Sequence, residues 1–286
     1  MTGPSSNLSV RLTGGGPPVT VVAHGLGATL PETRVLVGGV PGTRVLFAAR
    51  GHGPGRRPVA PGWGELADDL EAVADAHLAT RALGVSLGAA TLLQLLSRRP
   101  TRFDRVVLLL PAAVDQPRSG DVVRRLHALA DALQRQDEGA VHAAVLAELP
   151  GDLLAEPAVQ AYARTRTEHL LACEGLPELI GVLADRPPVA DRTLLSAVTA
   201  EVLVVGQEGD PVHPADWPVT WPRPCPGAGS WCSTDRAWRC ATGPGCEPRS
   251  RSSYGTSWRG AGAARGGGGR AAAQARRPRT RSGPRG

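Results

Sequence analysis

From Val19 to Ala23 the chain reads Val-Thr-Val-Val-Ala, a short run with no polar alternation, as expected of a strand buried on both faces. The same pattern returns at Arg44–Ala49, in the segment leading into Gly84, at Val106–Leu110 and at Glu201–Val205. Residues 8–12 form a candidate edge strand before the turn Gly14-Gly15-Gly16-Pro17-Pro18. Between the strands the period changes. A short helix is expected near 30–37, before the Gly38-Gly39 break, and an amphipathic helix over 63–79, where Leu66, Leu70, Val73 and Leu78 recur among acids. An apolar helix follows Ser86 and is stopped by Pro100. Strand, helix, strand, helix, strand in this rhythm predicts a parallel sheet covered by helices.

From Gln116 to about Leu195 the strand pattern vanishes. Four helical stretches take its place, DVVRRLHALADALQR, AVHAAVLAEL, AVQAYARTRTEHLLA and PELIGVLAD, separated by polar or proline breaks. A helical insertion within a parallel sheet reads as a lid. The expected organisation is a core over 1–115, a helical lid over 116–195, a returning core strand and loop over 196–216, and a tail over 217–286.

Composition divides the chain at the same last boundary. The formal charge of +6 conceals an excess of 11 positive charges in residues 217–286, so the preceding 216 residues carry −5. Cys225, Cys232, Cys240 and Cys246 and five of the six tryptophans also lie beyond Asp216, leaving Cys173 alone in the body. The chain has no lysine and a single isoleucine, Ile180, as a very GC-rich gene would produce. No apolar run marks a signal peptide or a membrane span, so a cytoplasmic protein without membrane association is the expectation.

The chemistry begins at Gly84-Val85-Ser86-Leu87-Gly88. A G-x-S-x-G run between an apolar strand and an apolar helix is a nucleophile elbow, in which small residues let strand and helix pack around a strained turn that exposes the hydroxyl. The pentapeptide alone is a weak signal, and a plain Gly/Ser turn is its bland reading. Other landmarks surround it: His24-Gly25-Leu26-Gly27 after the first buried strand, Arg50-Gly51-His52-Gly53 after the next, and Gly206-Gln207-Glu208-Gly209-Asp210 after the last. In this order, and over roughly residues 18–216, they resemble the α/β-hydrolase family. The resemblance implies an α/β fold, with a mostly parallel sheet flanked by helices and an inserted helical lid; the composition of the tail separately predicts a disordered C-terminal segment. The resemblance also implies Ser86 as nucleophile, Asp210 as the acid of a catalytic triad, and the backbone N–H groups of Leu26 and Leu87 as an oxyanion hole. His24, Gly25, Gly84 and Gly88 would be structural members of the motifs.

The remaining candidates have plainer readings. Asp210 could close a turn before Pro211, and His24 and His52 sit where family histidines are usually structural. Asp115 is an alternative acid or a lid-entry residue, and Cys173 a small core residue. His77, His127, His142 and His169 belong to helix faces. The triple glycine at 14–16 lacks the Lys-Ser/Thr of a phosphate loop, and the tail cysteines lack paired zinc spacing, so neither cofactor nor metal is expected.

The family's base should follow the last strand, tens of residues past the acid, yet no histidine occurs after His213. His213, three residues beyond Asp210, is the residual candidate, and the triad reads as incomplete. The tail suggests a reason: its Arg/Pro/Gly/Trp/Cys text fits an out-of-frame translation that replaced the last helix, strand and histidine loop. Three functions remain open. The first is a serine hydrolase of a small ester or lactone, impaired by the missing base. The second is a non-catalytic ligand-binding relative. The third and weakest is nucleic-acid binding through the basic tail. A small-molecule substrate is the expected partner, and the oligomeric state is unreadable.

Overall fold

A computed structural model of the chain describes residues 8–52, 62–149, 151–206, 210, 212 and 213, together with the backbone of 207, 230–234 and 237–240. Its centre is one eight-stranded sheet. The elements in chain order are β1 (Val10–Gly14), β2 (Val19–Ala23), α1 (Leu30–Leu36), β3 (Thr43–Phe47), α2 (Trp63–Ala76), β4 (Arg81–Val85), α3 (Leu87–Arg98) and β5 (Arg105–Leu109). Four helices follow: α4 (Gly120–Gln134), α5 (Glu138–Ala147), α6 (Pro157–Ala172) and α7 (Leu176–Leu183). The sheet then resumes with β6 (Glu201–Gln207), β7 (Ser230–Thr234) and β8 (Ala237–Cys240). The strand order is β1-β3-β2-β4-β5-β6-β7-β8. Strands β3 to β7 and β2 pair in parallel, while β1 and β8 close the two edges antiparallel.

Alternation along the strands decides which helix covers which face. Val21 and Ala23 of β2 and Val45 and Phe47 of β3 join the core beneath α2 and α3. Their neighbours Val22 and Leu46 turn the other way, into a smaller cluster with Val37 and Leu30 at α1. Helix α3 is central to the larger core: Leu92, Leu93, Leu95 and Leu96 are all fully buried. Each such leucine contributes roughly 1.5–3 kcal/mol on leaving water, so the helix that begins beside Ser86 is anchored along its length. The inserted helices build a further core of their own from Leu129, Leu133, Val141, Leu176 and Leu179, which reaches the elbow through Leu87 and Ala90. Trp63 ties the insertion to α2, its indole N–H donating to the Arg186 carbonyl at 3.0 Å.

Several expectations shift in detail. The edge strand lies at Val10–Gly14 rather than 8–12, because Gly14 still pairs with Thr43 at a positive φ of 77°. Helix α2 stops at Ala76, since Leu78 adopts a left-handed backbone (φ 54°) and turns the chain into β4. Within the tail, expected to lack regular structure, the backbone of 230–234 and 237–240 forms two strands that extend the sheet from β6. The remainder of 217–286, with its arginine-rich text and the out-of-frame reading placed on it, lies outside the described residues. Among the described residues no helix is long and apolar enough to cross a membrane.

Candidate functional site

Ser86 stands between β4 and α3 with φ 48° and ψ −106°, a backbone that L-residues adopt only under constraint. Its amide donates to the Leu109 carbonyl at 2.9 Å, and its carbonyl accepts from Ala90 at 3.0 Å. The glycines of the pentapeptide are steric necessities. A Cβ at Gly84 would lie 2.5 Å from the Gly88 backbone, and one at Gly88 would run into the Ala23 carbonyl. The corner therefore holds its shape only with small residues on either side of the serine.

The hydroxyl meets a histidine. Ser86 Oγ lies 2.9 Å from His213 Nε2, and His213 Nδ1 lies 3.0 Å from Asp210 Oδ2. Asp210 Oδ1 also accepts from the amides of Val212 and His213, at 2.8 and 2.9 Å. Burial pulls the Asp210 carboxyl upward, but the His213 ring and these two amides outweigh it and hold the carboxyl below its ordinary value. Both side chains are largely shielded, at 17% exposure for His213 and 16% for Asp210. Ser86, His213 and Asp210 thus lie in one line of contacts, and the histidine among them is the residual candidate. His213 is three residues from Asp210, not tens, and its ring meets both the Asp210 carboxylate and the Ser86 hydroxyl.

The other histidines are braces. His24 Nε2 accepts from the Ala49 amide at 2.9 Å, and its Nδ1, 2.8 Å from the Gly25 carbonyl, is therefore the protonated nitrogen. His52 Nε2 accepts from the Gly27 amide at 2.8 Å, with Nδ1 3.0 Å from the Arg50 carbonyl. Burial, with His24 alongside, pushes the His52 pKa down to about 3, and burial lowers His24 as well. Both rings stay neutral near pH 7 and hold the loop His24-Gly25-Leu26-Gly27 against the loop after β3. Asp115 is committed elsewhere, in a two-pronged pair with Arg192. Cys173 is buried beside His169. His127 pairs with Asp185 and His142 with Thr167. Among the described residues no group of three His, Cys, Asp or Glu side chains is placed to hold a metal.

A cavity of about 440 Å³ opens over Ser86, lined by Leu26, Leu87, Asp210 and His213 on the core side and by apolar side chains of α4 to α7 on the other. Leu26 and Leu87 both line it, and the Leu87 amide belongs to the first turn of α3, where it has no acceptor within its own helix. Sequence reading missed the polar side chains that the insertion brings here. Arg166 donates to the Leu26 carbonyl at 2.8 Å and to the Gly27 carbonyl, with Glu32 3.7 Å away. Arg118 also lines the cavity, as does Glu148, whose carboxyl is pushed upward by desolvation, with Arg166 acting the other way. No sequence pattern could have flagged Arg166, because its carbonyl partners lie about 140 residues away.

No family model and no curated protein matches the chain. Solved structures do. The chain is similar to a hydrolase from Pseudomonas aeruginosa PA01, at 24% identity and TM-score 0.62 over 79% of this chain and 85% of that one. It is similar to a thermophilic esterase from Thermogutta terrifontis, at 21% identity and TM-score 0.62 over 80% and 85%. It is also similar to the enol-lactonase from Burkholderia xenovorans LB400, at 22% identity and TM-score 0.56 over 79% and 87%. With a mostly parallel sheet, a serine on a strained strand-to-helix corner and these superpositions in agreement, the chain has the α/β-hydrolase fold.

Proposed function

We propose that the chain is a serine hydrolase that cleaves a small ester or lactone in the cavity between the core and the inserted helices, which act as a lid. The observation that carries this reading is the continuous chain of contacts from Ser86 Oγ to His213 Nε2 at 2.9 Å and from His213 Nδ1 to Asp210 Oδ2 at 3.0 Å. A neutral hydroxyl is a poor nucleophile, so a base must take its proton as it attacks. With Asp210 ionised and accepting from Nδ1–H, the lone pair of His213 is directed at Ser86, and the carboxylate balances the imidazolium that forms.

In the first half-reaction Ser86 Oγ bonds to the carbonyl carbon while its proton moves to His213 Nε2. The carbonyl oxygen becomes an oxyanion facing the amides of Leu26 and Leu87, and the positive end of α3 adds to its stabilisation. Collapse of the tetrahedral adduct breaks the bond to the leaving oxygen, which takes the proton from His213. Water then repeats the sequence on the acyl-serine, giving its proton to His213 and releasing the acid. Arg166 holds the carbonyls of Leu26 and Gly27 from behind, so this loop need not reorganise as charge develops.

A fluorophosphonate probe tests the reading directly. The full chain should be labelled at Ser86, with labelling abolished in Ser86→Ala and His213→Gln. A folded wild-type chain that resists the probe and hydrolyses no activated ester would overturn it in favour of a binding protein that has kept the pocket.

A further inference from the structure

Arg118, at the entrance to the helical insertion, is the one cavity-lining cation whose charge the protein does not answer among the described residues. One of its terminal nitrogens donates to the carbonyls of Leu183 and Ala184, both at 3.0 Å. Those two residues also line the cavity, which sets the guanidinium at its wall. The rest of the fork has no carboxylate partner among the described residues. Burial lowers the Arg118 pKa with no charged neighbour acting against it, so the surroundings withdraw water without supplying an anion.

The contrast with Arg166 is informative. Arg166 has Glu32 3.7 Å away, interacts with Glu148, and spends its donors on the Leu26 and Gly27 carbonyls. The acids of the cavity are thereby balanced at the elbow end, and the uncompensated charge sits at the α7 end, beside Leu183 and Ala184. An unanswered guanidinium in an apolar wall costs free energy unless a ligand completes it. Its planar fork suits a carboxylate, and a single cation without a second donor cluster suits a monoanion.

We propose that Arg118 is the seat for a carboxylate carried by the substrate, so that the site takes an ester or lactone bearing an anionic group remote from the scissile carbonyl. This rests on the hydrolase reading for the reaction but not for the binding. Ser86 and Arg118 face the same cavity, so an acyl chain would run from the elbow along the apolar wall to the guanidinium.

The test compares mono-p-nitrophenyl glutarate with its methyl ester, in which the charge is removed at nearly constant shape, using the full chain. The anionic ester should have the higher kcat/KM. Arg118→Gln should lower that value by roughly 10- to 100-fold, mainly through KM, and reduce the neutral ester by a far smaller factor. Arg118→Lys should recover part of the loss. Equal treatment of the two esters, or an Arg118→Gln loss of the same size on both, would overturn the seat while leaving the hydrolase intact. A parallel titration of the Ser86→Ala chain with monomethyl and dimethyl glutarate reads binding alone. Preference for the monoanion, abolished by Arg118→Gln, upholds the seat even if no ester is hydrolysed, and its absence overturns it.

Discussion

The two halves of the candidate triad are built in opposite ways. Ser86 is held by the whole core: a glycine-hemmed corner, a bond to Leu109 on the neighbouring strand, and a following helix whose four leucines are fully buried. Asp210 and His213 are held by themselves, through three hydrogen bonds that all close within four residues. Global packing can keep a strained nucleophile rigid, because moving it would disturb the core. Local bonding can orient an acid and a base with little scaffold, at the cost of leaving their approach to the nucleophile dependent on one loop.

This difference can be broken experimentally, beginning where the effect is greatest. Ser86→Ala and His213→Gln should each reduce kcat on an activated ester by about 10⁴-fold or more, since members of such a unit fail together. Thermal unfolding should be little changed for either, as neither side chain supports the core. Asp210→Asn should cost about 10³-fold, because an amide at Oδ2 favours the wrong imidazole tautomer while Oδ1 still accepts both loop amides. Asp210→Ala removes those acceptors as well and should fall further. If Asp210→Ala and Asp210→Asn prove equal, the loop does not depend on its own aspartate.

On the nucleophile side, Gly88→Val should strike stability as well as chemistry. The added side chain meets the Ala23 backbone, and about 3 kcal/mol of strain would lower the melting temperature by about 6 to 12 °C. Arg166→Met should reduce kcat by about 10-fold through a looser Leu26-Gly27 loop, with KM nearly constant. The smallest effect concerns pH. His52 has a folded pKa of about 3, below the ordinary value of 6.5, so the unfolded chain binds more protons between those limits. Its contribution is fully present above about 6.5 and fades as pH falls towards 3, with a slope of at most about 1.4 kcal/mol per unit. Urea melts at pH 7 and pH 5 should show this slope in the wild type and a reduced one in His52→Gln.

How far the sequence could be read follows from the same contrast. The elbow was legible because its steric demand leaves a mark within five residues, and the strands because β2, β3, β5 and β6 are apolar without alternation. Ser86, Asp210, Leu26 and Leu87 were accordingly singled out, and all four line one cavity. His213 was marked down by a spacing rule that takes acid and base to sit on separate loops. Nothing in the text of Asp210-Pro211-Val212-His213 announces that the ring will swing back over its own carboxylate. Arg118 and Arg166 went unnoticed for another reason: a charged residue in the loop before α4, or on a face of α6, is normally solvated, and only the tertiary packing of α4 to α7 brings these two to the cavity wall. The strands β7 and β8 lie in text without alternation, where pairing of β7 with β6 and of β8 with β7 supplies what propensity does not.

With acid and base so near each other along the chain, any drift of that loop carries both together as a single body. The imidazole–carboxylate distance then survives, and only the gap to the serine oxygen opens or shuts. The proposed relay would then have one joint, and anything that grips the backbone around position 212 would work as its throttle.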